Sequence, residues 1–222
     1  MEKENRLLLA LLRLVVRQRE DGIIPKKVDW EQLMSLAVKQ AVTVIALDGS
    51  QYYHSIHPDF IPFASHGMSD EPQKSLQWIG QSVAYERLYV KHEQAMADLA
   101  RLFATQGIRM MVLKGYGLSL DWPKPNHRPV GDLDIYTFGK WREADALVAE
   151  QLGIRVDDGH EHHTIFNYKG VLVENHYDFI NTKAHRDAPK IEARLKSLAE
   201  KNCRKIEVEG TPCLFLISLD SF

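Results

Sequence analysis

Two aspartates two residues apart, Asp132 and Asp134 in Gly131-Asp-Leu-Asp-Ile-Tyr, follow an apolar run, Met111-Val-Leu, that ends in Lys114-Gly115. Side chains on a strand alternate between its faces, so the two carboxylates project together about 6.5 Å apart while Leu133 and Ile135 face the core. A hard divalent cation such as magnesium takes carboxylate oxygens and keeps positions for substrate phosphates. The pair therefore points to phosphoryl or nucleotidyl transfer.

A third carboxylate stands in Val171-Leu-Val-Glu-Asn-His, where alternation puts Leu172, Glu174 and His176 on one face. If this strand pairs beside that of Asp132, the three acids converge, and two magnesium ions about 3.5–4 Å apart would bind the attacking and leaving oxygens. Manganese is an alternative ion. Glu174 is also the expected general base. Lys114-Gly115 suits the phosphates, because a strand that turns at glycine into a helix presents backbone N–H groups to an anion, and the lysine adds a mobile positive charge. Arg128, in Asn126-His-Arg-Pro-Val-Gly-Asp, forks onto a phosphate or orients Asp132 or Asp134 through a bidentate pair. Either His163 or His176 lines the cleft and contacts substrate, or both are surface or structurally hydrogen-bonded imidazoles. The run His160-Glu-His-His has no i, i+4 histidine pair in a helical context, so a zinc site of the metalloprotease type is not expected from it.

Leu113-Lys-Gly, Arg128-Pro-Val-Gly-Asp-Leu-Asp-Ile and Val173-Glu-Asn-His, in this order and spacing, resemble the uncharacterised nucleotidyltransferase branch of the polymerase-beta-like superfamily. The resemblance covers roughly residues 100–180 and, more loosely, the helical part before them. It implies a mixed sheet flanked by helices, with Asp132 and Asp134 as metal ligands and Glu174 as the third acidic residue. It further implies a nucleoside triphosphate whose monophosphate passes to a hydroxyl-type acceptor, a small molecule or a protein, with release of pyrophosphate. The wider superfamily usually ends its first strand in Gly-Ser or Gly-Gly, whereas Tyr116 follows Gly115 here. That change removes a serine hydroxyl from the phosphate grip. It keeps open a second reading, a catalytically inactive nucleotide-binding or regulatory module, and a third, a phosphohydrolase acting on water.

The elements that must position these residues follow from periodicity. Leu7, Leu8, Leu11, Leu12 and Val15 predict an amphipathic helix from about Lys3 to Glu20, and Asp29 with Gln32 opens a second, Trp30 to Leu47. Residues 52–70 are irregular. Pro72 introduces a long helix to about Thr105, with Leu76, Ile79, Val83, Leu88, Ala95, Leu99 and Leu102 as its apolar stripe and Gly107 as its cap. Beyond it the pattern alternates: strand 109–113, helix 115–120, strand 132–138, helix 140–152, and strands at 154–157, 163–168 and 171–177. The last two form a hairpin at Lys169-Gly170. A helix over 188–201 and a final strand over 204–208 complete an α+β chain. The domains read as a helical region, 1–107, and a nucleotidyltransferase-like core, 108–222, shortened at its C-terminus.

With 222 residues, 45% of them apolar, the chain can build a sizeable core. A formal charge of −2 provides no overall field for nucleic-acid backbone, which excludes bulk nucleic acid as the expected partner. Cys203 and Cys213 make neither a disulfide framework nor a zinc knuckle. The first apolar stretch is broken by Arg13 and Arg17, too short for a membrane span and without a cleavage region, so a cytoplasmic protein is expected.

Overall fold

The computed structural model describes residues 2–17, 24, 28–62 and 72–216. Seven helices and six strands occur among them: α1 (Glu2–Arg17), α2 (Trp30–Lys39), α3 (Thr43–Ile56), α4 (Pro72–Ala104), β1 (Met111–Val112), α5 (Tyr116–Ser119), β2 (Leu133–Tyr136), α6 (Trp141–Leu152), β3 (His163–Tyr168), β4 (Val171–His176), α7 (Ala188–Lys201), β5 (Cys203–Val208) and β6 (Thr211–Leu216). This is the α+β class. No helix among the described residues is long and apolar enough to cross a membrane.

The chain divides into two compact units, one of residues 1–87 with 121–129, the other of 88–120 with 130–222. The pattern of the sequence changes near residue 107, but the division falls inside α4. The reason lies in packing: Tyr89, Ala95, Met96, Leu99 and Phe103 belong to the core of the sheet, whereas Trp78 packs on the core of the first unit. The expected stripe of α4 is accordingly discontinuous, with Leu76 68% exposed while Ala95 and Leu99 are fully buried.

In the first unit Leu7, Leu8, Leu11 and Leu14 of α1 pack with Trp30, Leu33, Met34 and Ala37 of α2. Asp29 caps α2 by accepting from the Gln32 N–H. The single helix expected over 30–47 is two. The Val42 N–H bonds back to the Ala37 carbonyl and that of Ala41 to Val38, the paired bonds of a Schellman ending, with Ala41 left-handed at φ 54°. An alanine in that role leaves no sequence signal. The irregular stretch expected from residue 52 then begins as the last turn of α3. Asp48 of α3 is buried and accepts hydrogen bonds from Lys124 Nζ and His127 Nδ1, each at 2.6 Å, and His127 Nε2 lies 3.0 Å from Glu86 Oε1. This network ties 121–129 to α3 and α4 within the first unit.

In the second unit the strands run β3-β4-β2-β1-β6-β5. The pairs β2/β4 and β1/β6 are parallel, and the other three antiparallel. One face, with Val112, Leu133, Ile135, Val171 and Val173, packs on α4 and α6. On the other, Met111, Leu113 and Tyr136 meet Ala199 of α7. The strand expected at 154–157 is a single bridge, Asp157 to Ile165. Ile154 and Val156 pack on the core without a ladder partner. A strand the sequence reading lacked, β6, pairs with β5 across Glu209-Gly210, both at positive φ, as are Lys169 and Gly170 in the β3–β4 hairpin. Residues 217–222, the C-terminal end read as shortened, lie outside the described residues.

Two expectations follow. The hydrogen bond to Asp48, against the opposing effect of burial and with help from Glu86, raises the pKa of His127 above its ordinary 6.5. The folded state therefore holds this proton more tightly than the unfolded chain. The stability it adds is fully present below pH 6.5 and is lost as pH rises through the raised value. Urea unfolding of wild type and His127→Gln between pH 5 and pH 9 should show the two curves converging at the alkaline end. Burial also pushes the Cys213 thiol up to about 11, whereas Cys203 is partly exposed. Mass spectrometry after iodoacetamide at pH 8 should find Cys213 unmodified until the chain is denatured.

Candidate active site

Parallel pairing of β2 with β4 sets Asp134 directly opposite Glu174, and Tyr136 opposite His176. Leu133, Ile135, Val173 and Val171 occupy the main core, so by alternation Asp134, Glu174 and His176 share the other face of the sheet. Antiparallel pairing puts His163 of β3 opposite His176. One ligand atom each from Asp134, Glu174 and His176 lie within 4.8 Å of one another.

Asp134 is almost fully buried. Its Oδ1 accepts from His176 Nε2 at 2.9 Å and pairs with Lys114 Nζ at 3.1 Å. Its Oδ2 is buried with no hydrogen-bond partner among the described residues. A buried carboxylate oxygen without a donor is costly, and a bound cation would satisfy it. Burial works to raise the Asp134 pKa, but the bonds from His176 and Lys114 outweigh it and hold the carboxyl below the usual range. Lys114, 60% exposed, is conversely held above the usual lysine range, since its bond to Asp134 and the nearby acids overcome burial. For Glu174, burial and then the charges of Asp132 and Asp134 raise the pKa. Burial and the neighbouring His176, His162 and His160 lower His163 to about 4.

The turn after β1 bears directly on Asp134. Gly115 has φ 59° and ψ −108°, a conformation that glycine adopts without strain. A Cβ there would lie 3.7 Å from Asp134 Oδ2 and 3.6 Å from the Asp132 carbonyl oxygen. Gly115 thus keeps the wall beside the unsatisfied oxygen open. The helix that follows, α5, is a single turn, and it is held as core: Tyr116 is buried, stacks on Tyr89 at 4.6 Å and donates to Glu93 at 2.9 Å. A helix this short has little dipole to offer an anion.

Behind the acids, Asn175 is fully buried between Glu174 and His176 and points to the opposite side of β4. Its Nδ2 donates to Asp145 Oδ1 at 2.9 Å, Thr164 Oγ1 donates to the same oxygen at 3.1 Å, and Thr137 Oγ1 donates to Asn175 Oδ1 at 3.3 Å. These bonds join β4 to α6 and to the residue that follows β2, and β3 to α6, and so support the register that aligns the acids. Single-sequence reasoning passed over Asn175 because its signal, a polar residue at an inward position of an apolar strand, was hidden by the two acid-base residues beside it.

The structure thus brings together Asp134, Glu174, His176, Lys114 and Gly115. Asp132 precedes β2 and is half-buried; its charge reaches Glu174, but its carboxylate is outside the 4.8 Å group. Arg128 belongs to the segment 121–129 of the first unit, and its Nη1 lies 3.4 Å from the Pro129 carbonyl.

A family described as uncharacterised nucleotidyltransferase matches residues 26–222, nearly the whole chain. The chain belongs to that family. Its activity class is therefore nucleotidyl transfer, with a nucleoside triphosphate as the substrate the class implies. No curated protein and no solved structure matches the chain.

Replacing Gly115 by alanine should cost roughly 1–3 kcal/mol, from the disallowed backbone conformation, and thermal melts read it directly. Asn175→Ala leaves the Asp145 carboxylate short of a donor and should cost about 1–3 kcal/mol, measured by urea denaturation.

Proposed function

We propose that this nucleotidyltransferase transfers a nucleoside monophosphate from a triphosphate to a hydroxyl-type acceptor, with Asp132, Asp134 and Glu174 as its metal-binding carboxylates. The observation that carries the reading is Asp134: a buried carboxylate set opposite Glu174, with one oxygen bonded and the other unsatisfied against the Gly115 turn. Hard oxygen donors suit magnesium, with manganese as a substitute, and three carboxylates match the two ions such a reaction uses. When bound, magnesium supplies positive charge that offsets the growing charge on the phosphates.

The chain's own residues do the rest. Lys114, at the mouth of the turn, neutralises Asp134 in the absence of substrate and is exposed enough to meet a phosphate oxygen. His176 holds the Asp134 carboxylate in place through Nε2. Glu174 takes the acceptor's proton. The acceptor oxygen then bonds to the α-phosphorus, the bond from that phosphorus to the bridging oxygen breaks, and pyrophosphate leaves with the electron pair. Arg128 takes no part in this reading. Positioning and charge compensation supply most of the rate.

Two observations favour the non-catalytic alternative: Lys114 already pairs with Asp134, and Tyr116, where relatives in the wider superfamily usually carry serine or glycine, is spent on core packing. A module of this kind would bind a nucleotide without turning it over.

Pyrophosphate release with ATP, GTP, CTP and UTP, alongside calorimetry with and without magnesium, separates the readings. Transfer predicts magnesium-dependent pyrophosphate release that falls at least about a hundredfold in Asp134→Asn and in Glu174→Gln. Binding with no release in any nucleotide would leave the module. Release unchanged in both variants would overturn the assignment of these carboxylates.

A further inference from the structure

Three imidazoles converge beside the carboxylates. His162 and His163 lead into β3, and His176 closes β4 opposite His163. One nitrogen from each lies within 4.8 Å of the other two. Ring centroids are 4.5 Å apart for His162–His163, 5.1 Å for His163–His176 and 5.7 Å for His162–His176. The Nδ1 atoms of all three are buried with no hydrogen-bond partner among the described residues. His163 and His176 are themselves buried, at 9% and 4% exposure.

Burying three polar nitrogens together without partners costs several times the penalty of one, unless something satisfies them jointly. The Asp134 carboxylate decides what that can be. A carboxylate only accepts, so His176 Nε2 carries the hydrogen of the 2.9 Å bond. The lone pair of the neutral ring then lies on Nδ1, the buried atom. A carboxylate that fixes a histidine's tautomer from behind is the arrangement that orients metal-binding imidazoles.

We propose that His162, His163 and His176 bind a divalent transition-metal ion of the zinc class, separate from the magnesium expected on the carboxylates. Three neutral nitrogens suit zinc and its imidazole-preferring neighbours and disfavour magnesium. The run His160-Glu-His-His supplies two ligands, and the sheet supplies the third from a strand that lies next to it in space. The ion would pin residue 162 to the end of β4 and hold the open end of the β3–β4 hairpin. The inference rests on the buried nitrogens and the His176–Asp134 bond, so it stands or falls independently of nucleotidyl transfer.

The test uses the full chain, stripped with a chelator and titrated with zinc chloride by calorimetry and with cobalt(II), whose visible absorption reports imidazole ligation. Wild type should take up one equivalent of zinc that excess magnesium does not displace. His162→Gln and His163→Gln should each weaken it at least about a hundredfold, while His160→Gln and Asp132→Asn keep the wild-type affinity. Circular dichroism of the metal-free variants checks their folding. Should the buried His163→Gln unfold, the half-buried His162→Gln decides alone. Equal zinc affinity in wild type and His162→Gln, or displacement of zinc by magnesium, would overturn the proposal, whatever the pyrophosphate assay shows.

Discussion

The parallel pairing of β2 with β4 is the constraint on which the site depends. A sheet side chain changes face with every residue, so a slip of one position would turn Glu174 into the main core and bring Asn175 to the side of Asp134. The alignment is held from behind: Leu133, Ile135, Val171 and Val173 are wholly or nearly buried against α4 and α6, and Asn175 bonds Asp145 across the sheet's reverse face. Apolar burial sets which side each residue takes, and a small polar network sets the register. The charged face inherits both.

On that charged face, desolvation and pairing oppose each other. Asp134 is buried deeply enough to favour protonation, yet Lys114 and His176 keep it ionised. Glu174, less buried and facing two like charges, moves the opposite way. Two carboxylates aligned on adjacent strands thus have unlike proton affinities because their neighbours differ. Such a separation between neighbouring carboxylates is a common mark of a site organised for chemistry rather than for stability.

Much of this was legible in the sequence because the signals were local. Alternation put Asp134 and Glu174 on the face they share, while Asp132, expected beside them, lies outside their group; turn chemistry marked Lys169-Gly170, and Pro72 with its apolar period marked the helix over 72–104. The misses were non-local. Ala41 ends α2 in a conformation that usually calls for glycine, so two helices read as one. The reading of the sequence ended its strands at 204–208, whereas β6 follows and pairs with β1 through Leu214 and Phe215. The run at 160–163 lacks the i, i+4 spacing of a helical zinc site, and its spacing could not show that His176, distant in sequence, lies beside two of its histidines. Both halves of α4 carry apolar residues, and only packing assigns them to different compact units.

The shortness of β1 has a further consequence. Its two residues sit in the middle of the sheet, flanked by β2 and by β6, a strand about a hundred residues later. During synthesis β2 emerges soon after β1, and β6 much later. Until β6 arrives, Met111 and Val112 lack a ladder on one side, and Gly117 lacks the Phe215 ring beside it. The Lys114-Gly115 turn leaves β1 directly, so it takes its final form only when β6 docks. Such long-range closure is slow for a chain on entropic grounds. Closure of β1 against β6 is therefore a late step of folding, and the Lys114-Gly115 turn settles with it.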